Sequence, residues 1–146
     1  MRKPRIALFA LNGIGSMVLK TLCDTGYNIV GLWTRREPNP HPYYVSINIH
    51  QSLLPRHRGK NPFKAVIEAK DKESGVTAHH IDDEWDHGKT ISQYQCSIEH
   101  LSEGEVRARL GVLTACMAVN VISALPEIKA TTYNHIIQNE RIEKWV

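Results

Sequence analysis

Residues 48–59 read NIHQSLLPRHRG. Ile47 and Ile49 flank Asn48, so the run SINIH (46–50) begins as a strand. It then offers an imidazole, His50, and a hydroxyl, Ser52, breaks at Pro55, and continues through Arg56 and Arg58 to Gly59. In a strand, residues i and i+2 share a face, so Asn48 and His50 stand side by side. They do so at a carboxyl end, where open α/β sheets place their sites. A hydrogen-bonding amide beside a titratable imidazole suits acyl chemistry, in which an oxyanion forms and an amine loses a proton. A hydrogen-bonded strand terminus without chemistry fits the same two residues.

Upstream, RIALFAL (5–11) is the continuous apolar run expected of a strand buried on both faces of a parallel sheet. NGIGS (12–16) is a tight glycine turn. Val18, Leu19, Leu22 and Cys23 recur at helical spacing, and Gly26 sits where a helix should stop. NIVGLWT (28–34) is a second strand. Strand, glycine turn, helix, strand opens an α/β, Rossmann-like fold, and the expectation is a mostly parallel sheet with helices on both faces. The stretch RREPNPHPYYV (35–45) interrupts this reading, because Pro38, Pro40 and Pro42 forbid the helix that a parallel crossover normally needs.

Downstream, Asn61 and Pro62 are a helix start, and Phe63, Val66 and Ile67 give its apolar face. GVTAHHI (75–81) predicts a strand, DDEWDHG (82–88) an acidic loop, and KTISQYQCSI (89–98) an edge strand. Ser102 and Glu105 form a capping box. Val106, Leu110, Leu113, Met117 and Val121 make a core stripe on a long helix ending before Pro126. The expected division is one domain over 1–125 and a short tail over 126–146.

The 146 residues, 42% apolar and 23% charged with a net charge of +3, describe one ordinary globular domain. Scattered basic residues do not argue for a nucleic-acid coat, and no apolar run reads as long enough to span a bilayer. Cys23, Cys96 and Cys116 form no CxxC, so a reducing cytoplasm is the expected compartment. NGIGS lacks a full GxGxxG, and the second strand ends in Thr34, Arg35 and Arg36 rather than in a ribose-binding acid, so a structural turn is the better reading. His79, His80, Asp82, Asp83, Asp86 and His87 are metal-ligand types, but neighbours on a strand point to opposite faces, and a polar loop explains them better.

NIHQSLLPRHRG, followed by NPFKAVIEAKDKESGVTAHHIDDEWDHGKTISQ, resembles the folate-dependent formyltransferases. That family includes glycinamide ribonucleotide formyltransferase, methionyl-tRNA formyltransferase and the sugar-nucleotide N-formyltransferases. The shared pattern is an Asn-x-His followed by Ser-Leu-Leu-Pro, then a Gly-Val-Thr strand carrying a His, then an Asp-x-Gly loop. It occurs here as Asn48, His50, Ser52 to Pro55, Gly75 to Thr77, His79, and Asp86 with Gly88. The resemblance implies a shortened formyltransferase fold that moves a formyl group from 10-formyltetrahydrofolate to a primary amine. It implies that Asn48 holds the formyl oxygen, that His50 acts as a polarising acid or proton carrier, and that Asp86 pairs with the imidazole and keeps it charged or receives the amine proton through water. Leu53, Leu54, Pro55, Ile81, Asp82 and Asp83 are the implied folate contacts. Ser52, Arg56, Arg58, Gly59 and His79 are the implied acceptor contacts, and no metal is required.

The tail ATTYNHIIQNERIEKW (130–145) is similar to the segment that follows the catalytic domain in the tRNA and sugar enzymes. With no tRNA-binding domain in view, it favours an amino-sugar nucleotide as acceptor. The expected partners are folate, a small amine and a second copy of the chain, without a membrane. The family places further strands and helices where 35–45 stands, including a neighbour for the first strand. A segment near 36–46 is therefore expected to be missing from the chain as numbered, which the Cα–Cα spacing there (about 3.8 Å across an intact peptide) would check. The competing functions are hydrolysis of 10-formyltetrahydrofolate and a non-catalytic binding module of the same fold.

Overall fold

A computed structural model of the chain describes residues 5–9, 13–33 and 46–125. The elements run β1 (Arg5–Phe9), α1 (Gly13–Asp24), β2 (Asn28–Trp33), β3 (Ile47–His50), α2 (Pro62–Glu68), β4 (Glu73–His80), β5 (Thr90–Ser97) and α3 (Glu103–Ser123). β1 and β2 pair in parallel across α1, as a strand–helix–strand unit requires. The α/β class holds, but strand direction departs from the mostly parallel expectation. Among the described residues, the other sheet has the order β3-β4-β5, and both of its pairings are antiparallel. β3 hydrogen-bonds to β4, so no parallel crossover from β2 is needed to place it. The proline stretch, the spacing check near 36–46 and the tail lie outside the described residues.

The main core joins Phe63 and Val66 of α2, Val76 and Ala78 of β4, Ile98, and Val106, Leu110, Met117 and Val121 of α3. A smaller cluster joins Val18 and Leu22 of α1 to Ala115 and Ala118 of α3, so α3 serves both. The stripe expected on α3 is buried except Leu113, which is partly so. Cys23, read as part of the α1 core face, is exposed. Ser102 accepts from the Glu105 amide and the Glu105 side chain accepts from the Ser102 amide, completing the capping box. Asn61 occupies the cap of α2 without a side-chain hydrogen bond. By length and composition alone α3 could cross a membrane, contrary to the reading of the apolar runs. Its apolarity is matched by the core it fills.

Candidate active site

β3 pairs with β4 so that Asn48 lies opposite His79 and His50 opposite Thr77. This register brings Asn48, His50 and His79 together, and the loop after β4 returns Asp86 onto them. Gly88 makes that return possible. A Cβ there would lie 1.7 Å from the His80 carbonyl oxygen, so only glycine lets the loop close so tightly on the end of β4. Asp86 takes a left-handed backbone, φ +54°.

Asp86 is buried and its carboxylate is the hub. Oδ1 accepts from the Asn48 amide at 3.1 Å and lies 3.4 Å from His79 Nε2. Oδ2 accepts from the Gly59 backbone N–H at 2.8 Å and lies 3.4 Å from His50 Nδ1. Arg58 Nε donates to the Asp86 backbone carbonyl at 3.0 Å. Gly59, at φ +101°, takes a conformation that L side chains rarely adopt and so turns its N–H onto the carboxylate.

The ring hydrogens follow from the partners. His79 Nδ1 lies 2.8 Å from the His80 carbonyl, which can only accept. The Nδ1–H tautomer therefore leaves Nε2 to accept from Asn48 at 3.2 Å. His50 Nε2 likewise donates to the His57 carbonyl at 2.8 Å, leaving Nδ1 toward Asp86. Asn48 Nδ2 thus spends one hydrogen on His79 and the other on Asp86. To hold a formyl oxygen, as the resemblance implies, Asn48 has to draw one of these hydrogens away.

The expectation that Asp86 keeps His50 charged is corrected. Burial pushes the His50 imidazole below its ordinary value. The His57 carbonyl and the Asp86 carboxylate pull upward and lose, because the ring is 5% exposed and charging it there forfeits hydration.

The remaining candidates divide. Ser52 is not offered to a ligand: it is buried, and its hydroxyl donates to the Arg56 carbonyl at 2.6 Å. Arg56 is turned to Asp71 at 2.5 Å rather than to the Asp86 cluster. Leu53 and Leu54 are half-buried and Pro55 is exposed. The Leu54 amide donates to Thr77 Oγ1 at 3.1 Å, and its carbonyl accepts from Gln93 at 2.8 Å. Ile81 donates its amide to the Ser46 carbonyl at 3.1 Å. Asp82 and Asp83 are exposed on the loop, and Asp82 accepts from the Glu84 amide at 3.1 Å.

Sequence reasoning missed Thr77, Gln93, His57 and Asp71. Fully buried Thr77 donates to the Ser52 carbonyl at 2.7 Å and holds the 51–60 loop onto β4. Its position in Gly-Val-Thr, facing inward on a strand with no apolar partner in kind, was the available signal. No group of three or more metal-ligating side chains stands together among the described residues.

Comparison with known proteins places the chain in a family. A family model described as formyl transferase matches residues 41–122, and the chain belongs to that family. A methionyl-tRNA formyltransferase of Colwellia psychrerythraea is 36% identical over 105 residues, covering 69% of this chain and 32% of that protein. One from Ehrlichia ruminantium is 33% identical over 105 residues, covering 71% and 35%. The chain thus spans about a third of the length of the curated relatives it matches. Among solved structures, a phosphoribosylglycinamide formyltransferase from Campylobacter jejuni aligns over 77% of this chain and 61% of its own at 26% identity, with a TM-score of 0.53. An N-formyltransferase from Helicobacter canadensis, in complex with folinic acid and dTDP-3-aminofucose, shares the fold at TM-score 0.67 and 16% identity, over 87% of this chain and 65% of its own.

Proposed function

We propose that this chain carries the catalytic part of an N-formyltransferase, moving a formyl group from 10-formyltetrahydrofolate to a primary amine. The observation that carries the reading is the convergence of Asn48, His50 and Asp86 on one carboxylate-centred cluster. The donor supplies an activated formyl carbonyl. Asn48 turns one amide hydrogen from His79 or Asp86 to the carbonyl oxygen and stabilises the negative charge that develops there. His50, neutral through burial, accepts the proton of the attacking amine at Nδ1. Asp86 then faces a charged ring, and its attraction offsets part of the desolvation that opposed charging. The Leu53–Pro55 turn and the Ile81–Asp83 loop are the proposed folate contacts, with Arg58, Gly59 and His79 on the acceptor side.

An amino-sugar nucleotide is the proposed acceptor. The tail segment 130–145 supports it, as does the fold shared with an enzyme solved with an amino-sugar nucleotide. A second reading, methionyl-tRNA as acceptor, is favoured by the identity of the curated relatives. Free Cys23, Cys96 and Cys116 suit a reducing compartment, and we place the reaction in the cytoplasm. The deciding experiment incubates the protein with 10-formyltetrahydrofolate and, separately, a panel of amino-sugar nucleotides, methionyl-tRNA, and buffer alone. Formylated sugar supports the proposal, formylated tRNA the second reading. Formate released with neither acceptor indicates a hydrolase, and no consumption of the donor refutes all three.

A further inference from the structure

Outside the Asp86 cluster lies a second group of charged side chains that no step above uses. Asp71, just after α2, has a side chain 9% exposed. Its Oδ1 accepts from Arg56 Nη2 at 2.5 Å and its Oδ2 from His57 Nε2 at 2.7 Å. His57 has a left-handed backbone, φ +54°, which a non-glycine residue keeps only where its surroundings hold it. They do so here from two sides. Buried Ser52 fastens the Arg56 carbonyl at 2.6 Å, and Asp71 fastens the side chains of both Arg56 and His57. The result of this clamp is that the His57 carbonyl points at His50 Nε2, 2.8 Å away.

We infer that Asp71 and His57 are positioning residues that set the tautomer of His50, and so decide which ring nitrogen is the proton acceptor. The inference rests on the proposed function for its catalytic consequence, though not for its structural content. A carbonyl oxygen can only accept, so it selects the ring form with hydrogen on Nε2 and disfavours the form that would aim a lone pair at it. The lone pair is left on Nδ1; Asp86 Oδ2 also only accepts, but it lies 3.4 Å from that atom, so the 2.8 Å contact at Nε2 decides the tautomer. With the clamp gone, the His57 peptide is free to leave the left-handed region, the carbonyl turns away, and the ring distributes its hydrogen between both nitrogens. The groups that face His50 are Asp86 from the loop after β4, His79 from β4, and His57 from the loop after β3. Of these, only His57 contacts Nε2 through an atom that cannot donate.

The test is the nitrogen-15 spectrum of the imidazoles in the full chain, which reports the tautomer without any turnover, read beside steady-state formyl transfer. In the unsubstituted protein His50 shows the Nε2–H pattern. In Asp71→Ala that pattern gives way to a mixture, kcat falls about tenfold to a hundredfold with KM little changed, and the acid limb of the pH profile moves. Asp71→Asn keeps an oxygen for His57 and restores most of the pattern. A pure Nε2–H signal and an unmoved pH profile in Asp71→Ala, with only a lower Tm, would reduce Asp71 to a structural residue and overturn the inference. Should Asp71→Ala fail to fold, His57→Ala carries the test. Alanine removes the side chain that Asp71 holds and disfavours the left-handed backbone, and an unaltered His50 tautomer there overturns the inference equally. A chain without formyl transfer whose His50 tautomer still depends on Asp71 refutes the proposed function and leaves this inference standing.

Discussion

The β1–α1–β2 unit and the β3–β5 sheet are built on opposite principles. The first is a parallel pair joined by a helix whose described contacts are apolar, Val18 and Leu22 against Ala115 and Ala118 of α3. The second is an antiparallel sheet whose two connecting loops, 51–60 and 81–88, are laced by side-chain hydrogen bonds from Thr77, Gln93, Ser52 and Asp86. The difference teaches where this chain spends buried polarity. Burying a polar group is tolerated only when its partners are supplied, so each such group fixes geometry as well as position. A small shift of α1 is therefore expected to leave the chemistry intact, and a small shift of the loops around Asp86 to disturb it.

That contrast is sharpest at Asp86. Asp86→Asn removes the charge from a carboxylate that meets Asn48, His50, His79 and the Gly59 amide. Turnover of formyl transfer should fall about 10²- to 10⁴-fold, the scale of losing general-base support, as measured with saturating donor. Leu22→Ala probes the other region. It should cost about 2–5 kcal/mol of unfolding free energy in urea while leaving turnover of the folded protein near that of the parent. A large activity loss there would break the comparison. Gly88→Ala should cost about 1–3 kcal/mol and also depress turnover, because the added methyl meets the His80 carbonyl and displaces the loop that carries Asp86.

The smallest effect is a pH dependence. His50 is held below its ordinary value mainly by burial. As pH falls, the unfolded chain therefore takes up this proton before the folded one does. The contribution of His50 to stability is present above the ordinary histidine range, is lost as pH falls toward the folded-state value, and falls no further below it. Denaturation midpoints between neutral and mildly acid pH should show this decline, and His50→Gln should flatten it. A decline of the same slope in His50→Gln would assign it to other groups.

Much of this site was legible because strand periodicity is strict. Asn48 and His50 two residues apart had to share a face, whereas Asp86 and Gly88 entered only through the resemblance to the formyltransferases. The capping box at Ser102 and the α3 stripe were equally plain, since both rest on local rules. Strand direction was not legible, because β3 is too short to show whether its partner runs parallel. Nor could the sequence show that the Ser52 hydroxyl turns inward, that Asn48 spends both hydrogens, or that burial outweighs Asp86 at His50. Each depends on tertiary distances. His57 and Asp71 were missed for the same reason: 14 residues separate them, and only the fold brings them within 2.7 Å.

The central claim is that His50, held between the His57 carbonyl and Asp86, is the proton acceptor in formyl transfer. The most direct measurement is single-turnover transfer from 10-formyltetrahydrofolate to an amino-sugar nucleotide by the unsubstituted chain and by His50→Ala, with folding of both checked by circular dichroism. The account predicts formylated product from the first and a rate lower by about 10²-fold or more from the second. Equal rates from two folded proteins would contradict it and remove His50 from the chemistry.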